Sequence, residues 1–155
     1  MFQAALMVLA IGIGDQATVQ VDLLKFDPAA LKTMKQKQVT VTEKGKRVVY
    51  EGVPLRAMLG DQLKGGNAMV NMRDLVDAVI LVRGADDYQA AVSAAEVAMD
   101  KTGERYILAI SVDGQPLTKE QGPVKLIIPA DGDRARWVRM VVELSLVRLP
   151  RPRAK

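Results

Sequence analysis

Residues Tyr106–Leu146 read YILAISVDGQPLTKEQGPVKLIIPADGDRARWVRMVVELSL, three apolar strand patterns around one basic loop. Tyr106–Val112 runs into Asp113-Gly114, a pair that tolerates the backbone angles of a tight turn, and Val124–Ile128 follows Gly122-Pro123. In the loop Pro129–Arg139, the guanidinium groups of Arg134, Arg136 and Arg139 lie close enough in sequence to converge on one anion if the chain curls. The competing reading pairs Arg134 and Arg139 with Asp131, Asp133 or Glu143 at the surface, where each pair contributes at most about 1 kcal/mol. Val138, Met140, Val142, Leu144 and Leu146 then alternate with Arg139 and Glu143, the period of a long final strand.

Working towards the N-terminus, the same patterns recur in shorter pieces. Ser93-Ala94-Ala95-Glu96 matches a capping box for a helix through Met99, which ends near Gly103. Ala78–Val82 is a continuous apolar run suited to a strand buried on both faces, followed by the loop Arg83–Tyr88. Pro54 opens a helix with an apolar stripe of Leu55, Met58, Leu59 and Leu63, stopped by Gly65-Gly66. Val39–Thr42 and Arg47–Tyr50 flank Glu43-Lys44-Gly45-Lys46, a hairpin signal. Asp27-Pro28 caps and starts a short helix over Ala29–Met34, and Thr18–Leu24 puts Val19, Val21 and Leu23 on one face of a half-buried strand. Strands and short helices interleave irregularly, so the expected fold class is α+β, with mixed β-sheets.

At 155 residues, about half of them apolar, the chain has material for one sizeable core. We expect a single domain over residues 18–149, an N-terminal apolar segment over 1–17 and a basic tail over 150–155. Met1–Gly14 carries no charged side chain and falls short of the roughly 20 residues that cross a bilayer as a helix, so no stable membrane span is expected. Its length and small residues suit a secretory signal, although the usual positive start is missing; a buried strand or helix is the other reading. The signal reading implies a periplasmic or secreted protein.

The net charge of +4 is spread along the chain, and with 4% aromatic residues the composition excludes nucleic acid as a partner. The chain has no cysteine and no histidine, which removes disulfides, thiolate nucleophiles, histidine triads and thiolate or imidazole metal sites. Carboxylates, lysine, tyrosine and hydroxyls remain for chemistry, with arginine as an anion clamp. The methionines and Trp137 read as core or rim residues.

Four pieces carry a resemblance when taken in order: YEGVPLRAML at Tyr50–Leu59, LVRGADDYQAAVS at Leu81–Ser93, LAISVDGQPL at Leu108–Leu117 and GPVKLIIP at Gly122–Pro129, closed by ARWVRMVVEL. The sequence resembles the molybdopterin-binding catalytic domain of the sulfite oxidase type, including its short bacterial periplasmic members. That resemblance implies a pterin held by the loop after the Gly122–Pro129 piece, with Arg134, Arg136 and Arg139 near its phosphate and Lys125 on the preceding strand. It also implies that the loop with Asp86, Asp87 and Tyr88 faces the site; the bland reading of that loop is a turn in which Asp87 caps local amides and Tyr88 packs into the core. The resembling enzymes ligate molybdenum through a cysteine on the strand before the Tyr50–Leu59 piece. Here Val39–Glu43 offers only hydroxyls and one carboxylate, and a soft thiolate and a hard hydroxyl are not equivalent ligands. The expected function is therefore a molybdopterin-binding, oxidoreductase-like domain that takes a pterin or another small anionic ligand and lacks the metal-ligating cysteine, so that any molybdenum would have a non-thiolate protein ligand or none. The alternative is a non-catalytic ligand-binding or interaction module of the same fold, and a redox or sensor protein is the implied partner.

Overall fold

Two-residue turns with both residues at positive φ set the geometry of this chain, because such turns match the right-handed twist of antiparallel strands. Lys44 (φ 49°) and Gly45 (φ 77°) form one, and Asp113 (φ 48°) and Gly114 (φ 77°) form the other, as both sequence signals predict. The computed structural model describes residues 18–60 and 72–151. The N-terminal apolar segment, the Gly65-Gly66 stop and the end of the basic tail lie outside the described residues.

Among the described residues the strands and the complete α-helix are, in order, β1 Gln20–Leu23, β2 Lys37–Glu43, β3 Lys46–Pro54, β4 Ala78–Gly84, β5 Gln89–Ser93, α1 Ala94–Met99, β6 Ile107–Val112, β7 Gln115–Pro116, β8 Lys125–Ile127 and β9 Val141–Arg148. One antiparallel sheet has the order β1-β9-β4-β5. In the other, β2, β3 and β6 lie side by side, and both β7 and β8 pair with the remaining edge of β6. Backbone bonds from Leu126 N to Val138 O (2.8 Å) and from Val141 N to Val124 O (2.9 Å) join the β8 edge to the start of β9. The two sheets thus continue into one curled surface around a shared core that includes Val53, Ile80, Leu108, Leu126, Leu144 and Leu146.

The fold is nearly all β, which corrects the α+β expectation. Of the two helices expected before residue 66, the first is a single 3-10 turn, Ala30–Thr33, and the second opens with a 3-10 turn, Leu55–Leu59, the rest of its expected span after Gly60 lying outside the described residues. The Asp27 carboxylate does accept from Ala29 N at 2.9 Å, so the start signal is used, but too few residues follow to sustain an α-helix against its nucleation cost. Helix α1 is real and its capping box is half formed. Ser93 Oγ accepts from Glu96 N at 3.3 Å, whereas the Glu96 carboxylate accepts from the Tyr106 hydroxyl at 2.6 Å instead of reaching back. Burial and that bond push the Tyr106 hydroxyl up to about 12.

Three strand readings also change. Strand β4 alternates between buried and half-buried positions, because only one face of the four-stranded sheet meets the core. Val19, Val21 and Leu23 are exposed, since β1 is an edge strand turned outward and only Leu24 is buried beside it. On β9 the expected alternation slips: Val141 is buried and Val142 exposed. Met140 takes φ 48°, and the pairing with β4 jumps from Arg83↔Glu143 to Gly84↔Val141, so a bulge absorbs Val142.

A second bulge between Glu51 and Gly52 brings β3 hard against β6. A Cβ on Gly52 would lie 2.1 Å from Leu108 O and 2.5 Å from Ala109 Cα, both backbone atoms that have no room to yield. Gly52→Ala is therefore expected to destabilise the protein by about 3 kcal/mol or more, read as a fall in the midpoint of urea unfolding. An unchanged midpoint would show that the two strands can separate at no cost.

Candidate functional site

The loop after β8 folds back over the end of β2 and leaves between them a polar cleft of about 350 Å³. Thr40, Val41 and Thr42 form one wall, and Pro129–Gly132 with Arg134 and Trp137 form the other. Alternation on β2 buries Val39 and Val41 in the core and turns the Thr40 and Thr42 hydroxyls outward.

The basic side chains occupy three separate positions. Arg134 lies at the cleft: its Nη2 donates to Thr42 O at 3.0 Å, Nη1 sits 3.5 Å from the Glu43 carboxylate, and its guanidinium carbon is 5.1 Å from the centre of the Trp137 ring. Arg136 turns instead to Asp131, to which it donates through both Nε (2.9 Å) and Nη2. Arg139 points away, 3.7 Å from Asp86. The expected convergence of three guanidiniums is not what the geometry shows, because each has a carboxylate of its own within reach.

Lys125 is buried beside Trp137. Its Nζ donates to the Tyr50 hydroxyl at 3.3 Å and to Gln121 Oε1 at 3.2 Å, and lies 5.2 Å and 5.5 Å from the ring centres of Tyr50 and Trp137. The two rings meet edge to face, with centres 6.0 Å apart. Tyr50 in turn donates to Glu43 at 2.7 Å, so Lys125, Tyr50, Glu43 and Arg134 form a continuous polar chain from the core to the cleft. Burial holds the Lys125 ammonium below its ordinary pKa, against the opposing pull of Glu43. Burial, and next the bond to Glu43, raise the Tyr50 hydroxyl.

The Arg83–Tyr88 segment does meet the arginine loop. Ala85 N donates to Met140 O at 2.9 Å, the Tyr88 hydroxyl donates to Ala135 O, and Asp86 faces Arg139. The turn chemistry differs in detail from expectation. Asp86, not Asp87, accepts from a local amide, Tyr88 N at 3.2 Å, and Asp87 adopts φ 62°. Tyr88 is exposed rather than packed in the core, and Arg83 belongs to β4, where it pairs with Glu143 at 3.0 Å. Asp86 and Tyr88 thus brace the arginine loop, Asp87 lies 3.5 Å from Arg83, and the cleft is lined by β2 and the loop itself.

The oxidoreductase molybdopterin binding domain matches residues 20–154 of this sequence. The chain belongs to that family. The matched range includes all four of the ordered pieces on which the sulfite oxidase resemblance rests. No curated protein matches the chain significantly.

The donor set fits the two parts of molybdopterin unequally. The Thr40 and Thr42 hydroxyls, the Asp131 carboxylate, the Arg134 fork and the edge of Trp137 suit the amide-like edge and the phosphate of a pterin. The thiolate that the sulfite oxidase resemblance implies has no counterpart, and threonine hydroxyls do not replace a soft donor. Among the described residues, no three carboxylates converge on a metal position either. No step through molybdenum is assigned to these side chains.

Tyr50, Trp137 and Glu43 are the residues that sequence reasoning left out of the site. Glu43 and Thr42 carried a hint, since they stand where the resemblance expects a metal ligand. Nothing local marks Tyr50, whose hydroxyl reaches Glu43 across the β2–β3 hairpin.

The lowered pKa of Lys125 fixes a direction. At pH values low enough for both folded and unfolded chains to carry the proton, the burial penalty is present in full. It is relieved as pH rises through the lowered folded value towards the ordinary 10.5. In that window the wild-type protein should gain stability with pH relative to Lys125→Met, measured as the difference between their urea midpoints from pH 7 to 10. Parallel profiles would mean that Lys125 is solvated in the folded state.

Proposed function

We propose that this domain binds a pterin or another small anion in the cleft between β2 and the loop after β8, with Arg134 as the anion-binding residue. The observation that carries this reading is the arrangement of Arg134. It is half-exposed at the cleft, braced by a backbone carbonyl and Trp137, and held to Glu43 only at 3.5 Å. A phosphate oxygen can take the place of that carboxylate at little geometric cost. Family membership supports a pterin as the ligand. Asp131 is the acceptor suited to pterin N–H groups, and Lys125, too deep to touch the ligand, positions Tyr50 and Trp137 from behind.

Two uses of that site follow. As an oxidoreductase-like domain, the protein would bind a molybdenum-bearing pterin, which supplies the redox chemistry; its own residues hold and orient the pterin without bonding the metal. As a non-catalytic module, it would bind the anionic ligand and signal or assemble through a redox or sensor partner. The absence of cysteine and histidine favours the second use. Export of the protein is a further proposal, supported by the apolar run Met1–Gly14.

Thermal melting with pterin-6-carboxylate, phosphate and sulfite tests the site, since a ligand of the native state raises the midpoint. Arg134→Ala should weaken binding by about tenfold or more, the scale of one charge-assisted hydrogen bond, whereas the Arg136→Ala/Arg139→Ala pair should retain it. The reverse pattern would place the anion on the outer arginines. Metal and pterin analysis of protein made with molybdate separates the two uses: stoichiometric pterin with molybdenum supports the first, and pterin-free, metal-free protein supports the second.

A further inference from the structure

A larger cleft lies at the opposite end of β2 from the proposed pterin site. It has a volume of about 590 Å³, within the range of about 300–1,000 Å³ that small organic ligands occupy. Its apolar lining comes from Met34, Pro54 and Ala57. A smaller hollow of about 190 Å³ shares Met34, Ala57 and Gly60 with it, so the apolar surface continues as a groove along the two 3-10 turns.

The polar lining is almost entirely cationic. Lys35, Lys37, Arg56 and Lys101 border the larger cleft, and Lys37 is paired, 3.7 Å from Glu104. Among the described residues, no carboxylate pairs with Lys35, Arg56 or Lys101. Asp100 also lines the cleft, but its carboxylate is committed elsewhere. It is 3% exposed and accepts from the Thr102 hydroxyl (2.8 Å), Gly103 N (3.1 Å) and Arg105 N (3.0 Å). Those bonds lower its pKa despite its burial, so it stays ionised as the fixed core of a turn rather than as a partner for the lysines. The turn is built closely: Gly103 has φ 70°, and a Cβ there would lie 2.9 Å from the Pro54 ring. The wall of the cleft is therefore shaped by packing, while three exposed cations around it have no carboxylate partner among the described residues.

From this combination we propose a second ligand site, which takes an organic anion with an extended apolar body, a fatty-acid-like carboxylate being the simplest member. An inorganic anion would leave the Met34–Pro54–Ala57 surface unused, and a neutral apolar molecule would leave the cations uncompensated. The site is independent of the pterin reading, because it shares no lining residue with the Thr40–Arg134 cleft.

The test is fluorescence titration of the full chain with 8-anilinonaphthalene-1-sulfonate at constant ionic strength, followed by displacement. Saturable binding at one site is expected, with dodecanoate displacing the dye and dodecanol or phosphate failing to do so at the same concentration. Arg56→Glu/Lys101→Glu reverses two exposed charges and should weaken dye binding by about tenfold or more at an unchanged melting midpoint. Ala57→Trp, which fills the apolar floor without touching a charge, should weaken it as well. Dye binding that survives both variants, displacement by dodecanol as strong as by dodecanoate, or loss of binding on Arg134→Ala would each overturn the proposal.

Discussion

A buried ammonium is the constraint around which this domain is arranged. Lys125 lies on β8 with 8% of its surface exposed, and an unpartnered charge so buried would cost several kcal/mol. The protein surrounds it with two aromatic faces, a phenol oxygen and a side-chain amide. Aromatic faces attract a desolvated cation, and the phenol passes the interaction on to Glu43. Satisfying Lys125 therefore fixes Tyr50 on β3, Trp137 in the loop after β8 and Glu43 at the end of β2. Two of those elements, β2 and the loop after β8, frame the cleft.

The same requirement explains why the loop presents one arginine rather than three. Guanidinium groups close in sequence repel one another unless each has its own anion. Asp131 within the loop, Asp86 after β4 and Glu43 at the end of β2 each take one arginine. Arg136 thereby closes the loop on itself through Asp131, and Arg139 ties it to the β4–β5 turn. Arg134 alone is left at the cleft, with its guanidinium over Trp137. A cluster that reads as a clamp in sequence becomes, in three dimensions, two struts and one ligand-facing group.

Much of the strand framework was legible because it rests on local chemistry. Lys44-Gly45 and Asp113-Gly114 are two-residue turns wherever they flank strand patterns, and Ser93 caps Glu96 within a single helical turn. The errors fall where a distant element decided the outcome. Burial of Val141 instead of Val142 follows from a bulge against β4, and the outward face of Val21 and Leu23 follows from the edge position of β1. The site was legible only in part for the same reason. Thr40, Thr42 and Glu43 resemble ordinary strand residues until the loop from Pro129 closes over them.

By itself the sequence determined the hairpins, the family and the absence of a thiolate, because turn propensity, motif order and residue type are properties of short stretches or of composition. Only the tertiary structure decided which arginine faces the cleft, that Tyr50 and Trp137 enclose Lys125, and that cations with no carboxylate partner among the described residues gather at the far end of β2. Those outcomes depend on the competition of charges for partners across strands that are distant in sequence. Which carboxylate lies within about 4 Å of which cation is set by strand register and loop closure, and neither is encoded in any one segment.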